Sequence, residues 1–369
     1  MADARSSGLE GVEVAATAIS HVDGEQGRLV IAGADAEELA AQSSFEAAAA
    51  RVLSAGGLAI SAGELTAELG RARATAWELL PRLGNALDAA DGMEALRAAT
   101  AHLWATGDDR ADAIAAIGAA PVLVAAWSRT CRKAAPVAPS PGRDHATDYL
   151  AMTLGVAPSP AAARALGAYL VAVIDHGMNA STFTARVVTS TGSDLISAVV
   201  AAVGALKGPL HGGAPGPVLD MLDAIGPPAN AEAWLLAELA AGRRIMGMGH
   251  RIYRVRDPRA AVLENALGWL DGAAGCRLAL AHAVEAAAAK ILRERKPDRP
   301  LAANVEFYTA VLLDAVGLPR EQFTPTFAVG RVAGWCAHVA EQRAVGRLIR
   351  PASRYVGPAP AEALRGAGP

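Results

Sequence analysis

The chain has 369 residues, enough to bury a large core and to form two domains or one domain with a substantial insertion. A formal net charge of −3 speaks against a general nucleic-acid binder, which needs a basic excess to meet phosphates. Hydrophobic residues make up 52% and aromatics only 4%, so the apolar content is mostly Ala, Leu and Val and points to an Ala-rich helical protein. Cys131, Cys276 and Cys336 are widely spread and form no CxxC pair, so neither a disulfide framework nor a thiolate metal site is expected. A reducing, cytoplasmic location fits this usage best.

The opening MADARSSGLEGVEV carries acids and no apolar run, unlike a secretory signal. Short β-compatible pieces such as residues 28–31 follow, broken by glycines. Helical texture covers residues 36–53, 63–87 and 92–106. The uncharged stretch 113–128 is shorter than the roughly 20 residues of a membrane span and reads as a buried core helix. Prolines at 136–141 mark a loop. Leu166, Tyr169, Leu170, Val173 and Ile174 then define one helix face ending near His176-Gly177. Residues 194–206 are nearly all apolar and predict a buried helix, and Pro227-Pro228 makes a break. Residues 260–295 are helical, in two pieces around 272–275, and 323–342 are helical again. The Pro/Gly-punctuated tail beyond Pro351 reads as an extended arm. No long strand alternation, GxGxxG, P-loop or solenoid repeat occurs, so the expected fold is all-α.

Three histidines sit beside glycines: Asp175-His176-Gly177, Leu210-His211-Gly212 and Gly249-His250-Arg251. Glycine there lets a ligand approach the backbone closely, although a helix C-cap with an incidental His has the same local pattern. A zinc site is the weaker reading, since HExxH and neighbouring Cys are missing. Arg331 shares a helix face with Phe327 and Trp335, either snorkelling or buried against an anion. Arg259 follows Asp257-Pro258, and Arg350 opens the tail; arginine forks suit small dicarboxylates. Glu306, at the start of an apolar helix, is either a helix N-terminus carboxylate or a catalytic acid–base group.

Together these motifs resemble the citrate synthase family. The stretch DHGMNASTFTARVVTSTGSDLISAVVAAVGALKGPLHGGAPGPVLDML, residues 175–222, is similar to the family signature almost throughout. GMGHRIYRVRDPRA, NVEFY, FAVGRVAGWCAHVAEQ and RLIRPASRYVG follow in the family's order. The likeness is strong over residues 144–358 and weaker over 9–53, through GLEGV and DGEQGRLV.

The resemblance implies a two-domain helical fold: a large domain of residues 1–213 with 314–369, and a smaller mobile domain of 214–313. It implies condensation of acetyl-CoA with oxaloacetate and hydrolysis of citryl-CoA, without a cofactor or metal, CoA thioester being a substrate. His211 would hydrogen-bond the thioester oxygen, Glu306 would take the α-proton and His250 would polarise the ketone. Arg259 and Arg331, with His176, would hold oxaloacetate, and Arg350 would reach a partner subunit's site in a homodimer. Leu210, Ile245, Gly247 and Asn304 would line the CoA channel, with no nucleic-acid or membrane partner.

The chain departs from the family's usual pattern in three places. Glu306 replaces a usual Asp, as in a subgroup carrying NVEF; Ala32-Gly33-Ala34 replaces an Arg-Gly-Tyr-like element; and Asp91-Gly92-Met93 replaces His-Pro-Met. A 2-methylcitrate synthase using propionyl-CoA, and a catalytically weak paralogue with a binding role, are the competing readings.

Overall fold

The computed structural model describes residues 9, 11–211, 215–249, 252–270, 273–295 and 301–357. It is built from helices, as the sequence predicts: 63% helix against 4% strand. The strands make one small antiparallel sheet of β1 (Ser20–Asp23), β2 (Arg28–Ile31) and β3 (Ala34–Asp35), in that spatial order. Ser20 pairs with Ile31 and Asp23 with Arg28. Ala32 and Gly33 join β2 to β3 with φ of 47° and 81°, the left-handed pair that a two-residue hairpin needs. Arg51 Nε ties this turn down at 2.7 Å from Ala32 O. The departure from the usual element at this point is therefore accommodated by a well-formed hairpin.

The helices run α1 (Ala36–Gln42), α2 (Phe45–Ala55), α3 (Ala62–Leu79), α4 (Gly92–Thr100), α5 (Asp109–Cys131), α6 (His145–Leu154), α7 (Pro160–Ala172) and α8 (Ala180–Ser190). They continue as α9 (Leu195–Leu206), α10 (Pro215–Ile225), α11 (Ala231–Ala240), α12 (Pro258–Leu267), α13 (Ala273–Arg295), α14 (Val305–Ala315) and α15 (Phe323–Val345). Side-chain caps start most of them: Ser44, Ser61, Asp91, Asp108, Asp144, Ser159, Asn179, Asp194, Asp257 and Asn304 each accept a first-turn N–H. The single helix expected over 36–53 is two, because Ser44 caps a new helix after Gln42. Residues 260–295 form the two expected pieces, α12 and α13.

α5 is long and apolar enough to cross a membrane by length and composition, but 83% of its apolar window is buried inside the structure. It packs against α3, α4, α6 and α15. Gly118 of α5 meets Ala72 so closely that no Cβ fits between them, and Met93, after the altered Asp91-Gly92, is 2% exposed. α12 packs on α14 and also on α1 and α7, while α10, α11, α13 and α14 pack among themselves.

One buried ion pair locks α3 to α6. Arg73 Nε lies 2.7 Å from Asp148 Oδ2, both side chains fully buried, and Arg73 Nη2 donates to Arg143 O at 2.7 Å. Removing one partner leaves the other charge buried and uncompensated, at a cost of about 3–5 kcal/mol. Asp148→Ala is therefore expected to lower the unfolding free energy by that order in denaturant titration. Arg28→Ala, at the exposed Arg28–Asp35 pair, should change it too little to resolve.

Candidate active site

Arg331 lies on α15 and is 1% exposed. α7 ends at Ala172, a few residues earlier than its apolar periodicity predicts, and the freed Val173 carbonyl accepts from Arg331 Nε at 2.5 Å. The guanidinium stacks over Phe327 at 4.6 Å, the neighbour its spacing predicts. Its Nη2 is buried with no hydrogen-bond partner among the described residues, so one strong donor is left for an anion. Burial pushes its pKa down to about 10; Asp175 opposes that and Arg259 adds to it, so the group stays cationic at neutral pH.

Arg259 stands in the first turn of α12, buried against Asp257 through Nε at 3.0 Å and Nη2 at 2.7 Å. The same carboxylate accepts from the backbone N–H of Arg259 at 3.0 Å and of Val305 at 3.3 Å. Asp257 thus joins the first turns of α12 and α14. Glu306 follows on α14, its N–H bonded to Asn304 Oδ1 at 3.0 Å. A helix N-terminus favours an ionised acid, yet burial wins. It pushes the Glu306 carboxyl up to about 7, against the pull of Arg259 and helped by Asp257.

His211 lies just beyond α9, its N–H bonded to Gly208 O at 2.9 Å. The Ser181 N–H, in the first turn of α8, points at His211 Nε2 over 3.3 Å, and Ser181 Oγ lies 2.8 Å from the same nitrogen. A nitrogen that accepts a backbone N–H carries no proton, so the Ser181 N–H contact favours the tautomer with the ring proton on Nδ1. Burial, reinforced by the Arg331 charge, pulls the His211 pKa down to about 4. The ring is neutral at pH 7 with one N–H to give. Ser181 is itself held by Trp335 Nε1 at 3.1 Å and by Asn179 Oδ1 at 2.8 Å. The sequence places Trp335 on the Arg331 face but gives no sign of its bond to Ser181, for which the Asn-Ala-Ser start of α8 is the only local signal.

His176 is 6% exposed, with Nε2 3.1 Å from the Tyr253 hydroxyl. Its neighbour Asp175 is fully buried and accepts from Ser20 Oγ, from Gly177 N at 3.0 Å and from His338 Nε2 at 3.1 Å. Arg186 Nε donates to the other His338 nitrogen at 3.0 Å, and Arg186 also pairs with Glu341.

Among the residues expected at a CoA channel, Leu210 is 96% exposed beside His211, while Ile245 is buried. Gly247 has φ of 72°, and a Cβ there would lie 2.7 Å from that of Phe307. Asn304 N donates to Gly247 O and its Nδ2 to Gly249 O, both at 2.9 Å. The 247–249 loop is thereby stitched to the start of the Glu306 helix. Arg350 is exposed in the C-terminal segment. His250 lies outside the described residues. A separate cavity of about 680 Å³ between α3 and α5, lined by Trp104, His102 and Arg110 among others, contains none of these residues.

The fold and these groups define a helical acid–base site: a neutral imidazole donor, a carboxyl balanced near neutrality and two buried guanidinium groups. The citrate synthase C-terminal domain family model matches residues 8–352, and the chain belongs to the citrate synthase family. It is 36% identical to the citrate synthase of Deinococcus radiodurans, covering 95% of this chain and 96% of that one. It is 38% identical to the 2-methylcitrate synthase of Mycobacterium tuberculosis, over 95% and 90%. A Mycobacterium bovis relative, numbered citrate synthase 2, is 49% identical over 203 residues; there the match spans only about half of each protein, 55% of this chain and 54% of that one. Among solved structures, Thermoplasma acidophilum citrate synthase in ternary complex with carboxymethyl coenzyme A and oxaloacetate superposes with a TM-score of 0.84, at 28% identity over 95% and 96% of the two chains.

The raised Glu306 pKa has a consequence for stability with a definite sign. A carboxyl that is harder to ionise when folded destabilises the fold as pH rises through the interval from 4.5 to about 7. A rise from 4.5 to about 7 corresponds to about 3 kcal/mol. Glu306→Gln should therefore raise the melting temperature at pH 8 and change it little at pH 4.5, as read by calorimetry at the two pH values.

Proposed function

We propose that the chain condenses acetyl-CoA with oxaloacetate and hydrolyses the resulting citryl-CoA, releasing citrate and CoA. The observation that carries this reading is a half-buried carboxyl near neutrality, acted on by Arg259, in the same cluster as a neutral imidazole acted on by Arg331, the two guanidinium groups being within electrostatic reach of each other. Removing a proton from a thioester methyl with an ordinary carboxylate is steeply uphill. A base raised to about 7 narrows that gap by about 3 kcal/mol. The rest must come from a preorganised donor at the developing oxyanion in a dry site.

In the proposed mechanism Arg259, Arg331 and His176 grip the oxaloacetate carboxylates. Glu306 removes the α-proton while His211 Nδ1–H donates to the thioester oxygen. The enolate attacks the ketone carbon, and His250 supplies the proton to the new alkoxide. Water then cleaves citryl-CoA. The chemistry calls on no metal or prosthetic group. The exposed Leu210 side chain and the 245–247 backbone are the proposed CoA contacts.

The proposed domains are residues 1–213 with 314–369, and 214–313. They place His176 and Arg331 on one body and Arg259 with His250 on the other, so that a dianion held from both sides favours closure. The proposed working unit is a cytoplasmic homodimer in which Arg350 serves the neighbouring site; no nucleic acid or membrane takes part.

Propionyl-CoA is the alternative acyl donor, favoured by the 2-methylcitrate synthase relative. One methylene discriminates by roughly 10–200-fold, so side-by-side kcat/KM values for the two thioesters decide between them. CoA release with oxaloacetate tests the whole reading, and no turnover with either thioester would overturn it. Glu306→Gln is expected to cut turnover at least 100-fold, within the ~10²–10⁴ range of general acid–base catalysis, with oxaloacetate affinity kept within a few-fold. In the wild type the acid limb of kcat/KM for the acyl-CoA should have its midpoint near pH 7 rather than near 4.5.

A further inference from the structure

The N-terminal hairpin reaches the site from two directions. Ser20, at the start of β1, donates to the buried carboxylate of Asp175, and Ser20 Oγ also accepts from Gly177 N at 2.9 Å. Both contacts flank His176. At the other end of β1, Gly24 O accepts from Arg254 N at 2.9 Å, and Gly24 presses so close to the Ile252 carbonyl that no Cβ would fit. Gly27, with φ of 64°, meets Val255 in the same way. These contacts lie on either side of Tyr253.

Tyr253 is 2% exposed. Its hydroxyl is 3.1 Å from His176 Nε2, and its ring meets the imidazole edge-on at 5.6 Å and 74°. The phenol lies within electrostatic reach of Arg259. One tyrosine therefore connects a hairpin, a histidine on the α7–α8 connection and the segment leading into α12.

We propose that Tyr253 is a positioning residue of the oxaloacetate site: seated by Gly24 of the hairpin, its hydroxyl fixes the His176 ring in the orientation that meets the substrate. This inference rests on the oxaloacetate reading above. His176 and Tyr253 fall on different proposed domains, so their hydrogen bond forms only when those bodies are together. The β1–β2 turn then acts as the seat against which the 252–256 segment stops. Gly24 follows from this: a side chain there would push Ile252 and Arg254 away and carry the tyrosine with them.

Tyr253→Phe removes the hydroxyl and keeps the ring. A neutral hydrogen bond of about 0.5–1.5 kcal/mol corresponds to roughly 2–10-fold in affinity. The dissociation constant for oxaloacetate, by calorimetry, should rise by that factor, with kcat at saturation within about twofold and KM for the acyl-CoA unchanged. The imidazole ¹⁵N shifts of His176 should move in the variant. Gly24→Val should raise the oxaloacetate constant likewise with the phenol intact, which provides a second test should Tyr253→Phe fold poorly. If wild type fails to bind oxaloacetate, the functional reading falls and this inference with it. If wild type binds and both variants bind equally tightly, or if all kinetic constants fall together with the melting temperature, only the positioning role is overturned.

Discussion

The carboxylate of Asp257 is the contact on which the arrangement depends. It is 1% exposed and accepts four N–H groups: two from the Arg259 guanidinium, one from the Arg259 backbone and one from Val305. Its own N–H reaches Ala303 O at 3.3 Å. A buried charge is tolerable only when its lone pairs are met, and here meeting them fixes geometry. Two helices must begin at the same point in space, and their second residues, Arg259 and Glu306, come along. The Arg259 charge then restrains the Glu306 carboxyl while Asp257 and burial raise it, so the acid settles near neutrality instead of at either extreme.

α15 supplies the opposite wall by periodicity. Arg331, Gly334, Trp335, His338 and Gln342 recur at helical spacing, and each faces the site or its supports. Among the described residues Arg331 leaves a guanidinium donor unpaired, Trp335 holds the serine beside the His211 ring, and His338 anchors Asp175 beside His176. Gly334 makes room: a Cβ there would lie 2.8 Å from Asp175 Oδ1. A single rigid helix thus orients groups that belong to three other segments, which is how positions far apart in sequence hold a geometry that chemistry needs to within about an ångström.

What the sequence disclosed follows from the range of the interactions. α9 and α15 were legible because apolar periodicity is local, and Arg331 because its aromatic neighbours share its helix face. The motifs also put Glu306 at a helix start, where it stands. α8 was not legible: ASTFTARVVTS is rich in β-branched residues with poor helix propensity, and packing against α9 and α15 overrides that. The links Asp175–His338 and Asp257–Val305 span 163 and 48 residues, and no local pattern announces such a partner. The tautomer of His211 depends on a backbone N–H 30 residues away, which no local pattern marks.

The use of Glu rather than Asp at position 306 bears on how such a site can tolerate change. One more methylene extends the carboxylate by about an ångström, which for the base proposed above is enough to cost ~100-fold in rate if nothing else moves. The start of α14 is not free to retreat, since Asp257 holds Val305 N and Asn304 is bonded to both Gly247 and Gly249. Gly247 is pressed against Phe307 with no space for a Cβ, so the loop cannot shift toward the helix either. His211, beyond the end of α9, is fixed by its bond to Gly208 O and by Ser181. The adjustable element is then the Glu306 side chain itself, which has one torsion more than an Asp. The longer side chain carries more rotamer entropy to be lost, and its burial is what restricts those rotamers. The same burial lifts its pKa. In this site, confinement of the longer acid and its poise near neutral pH are two results of one enclosure.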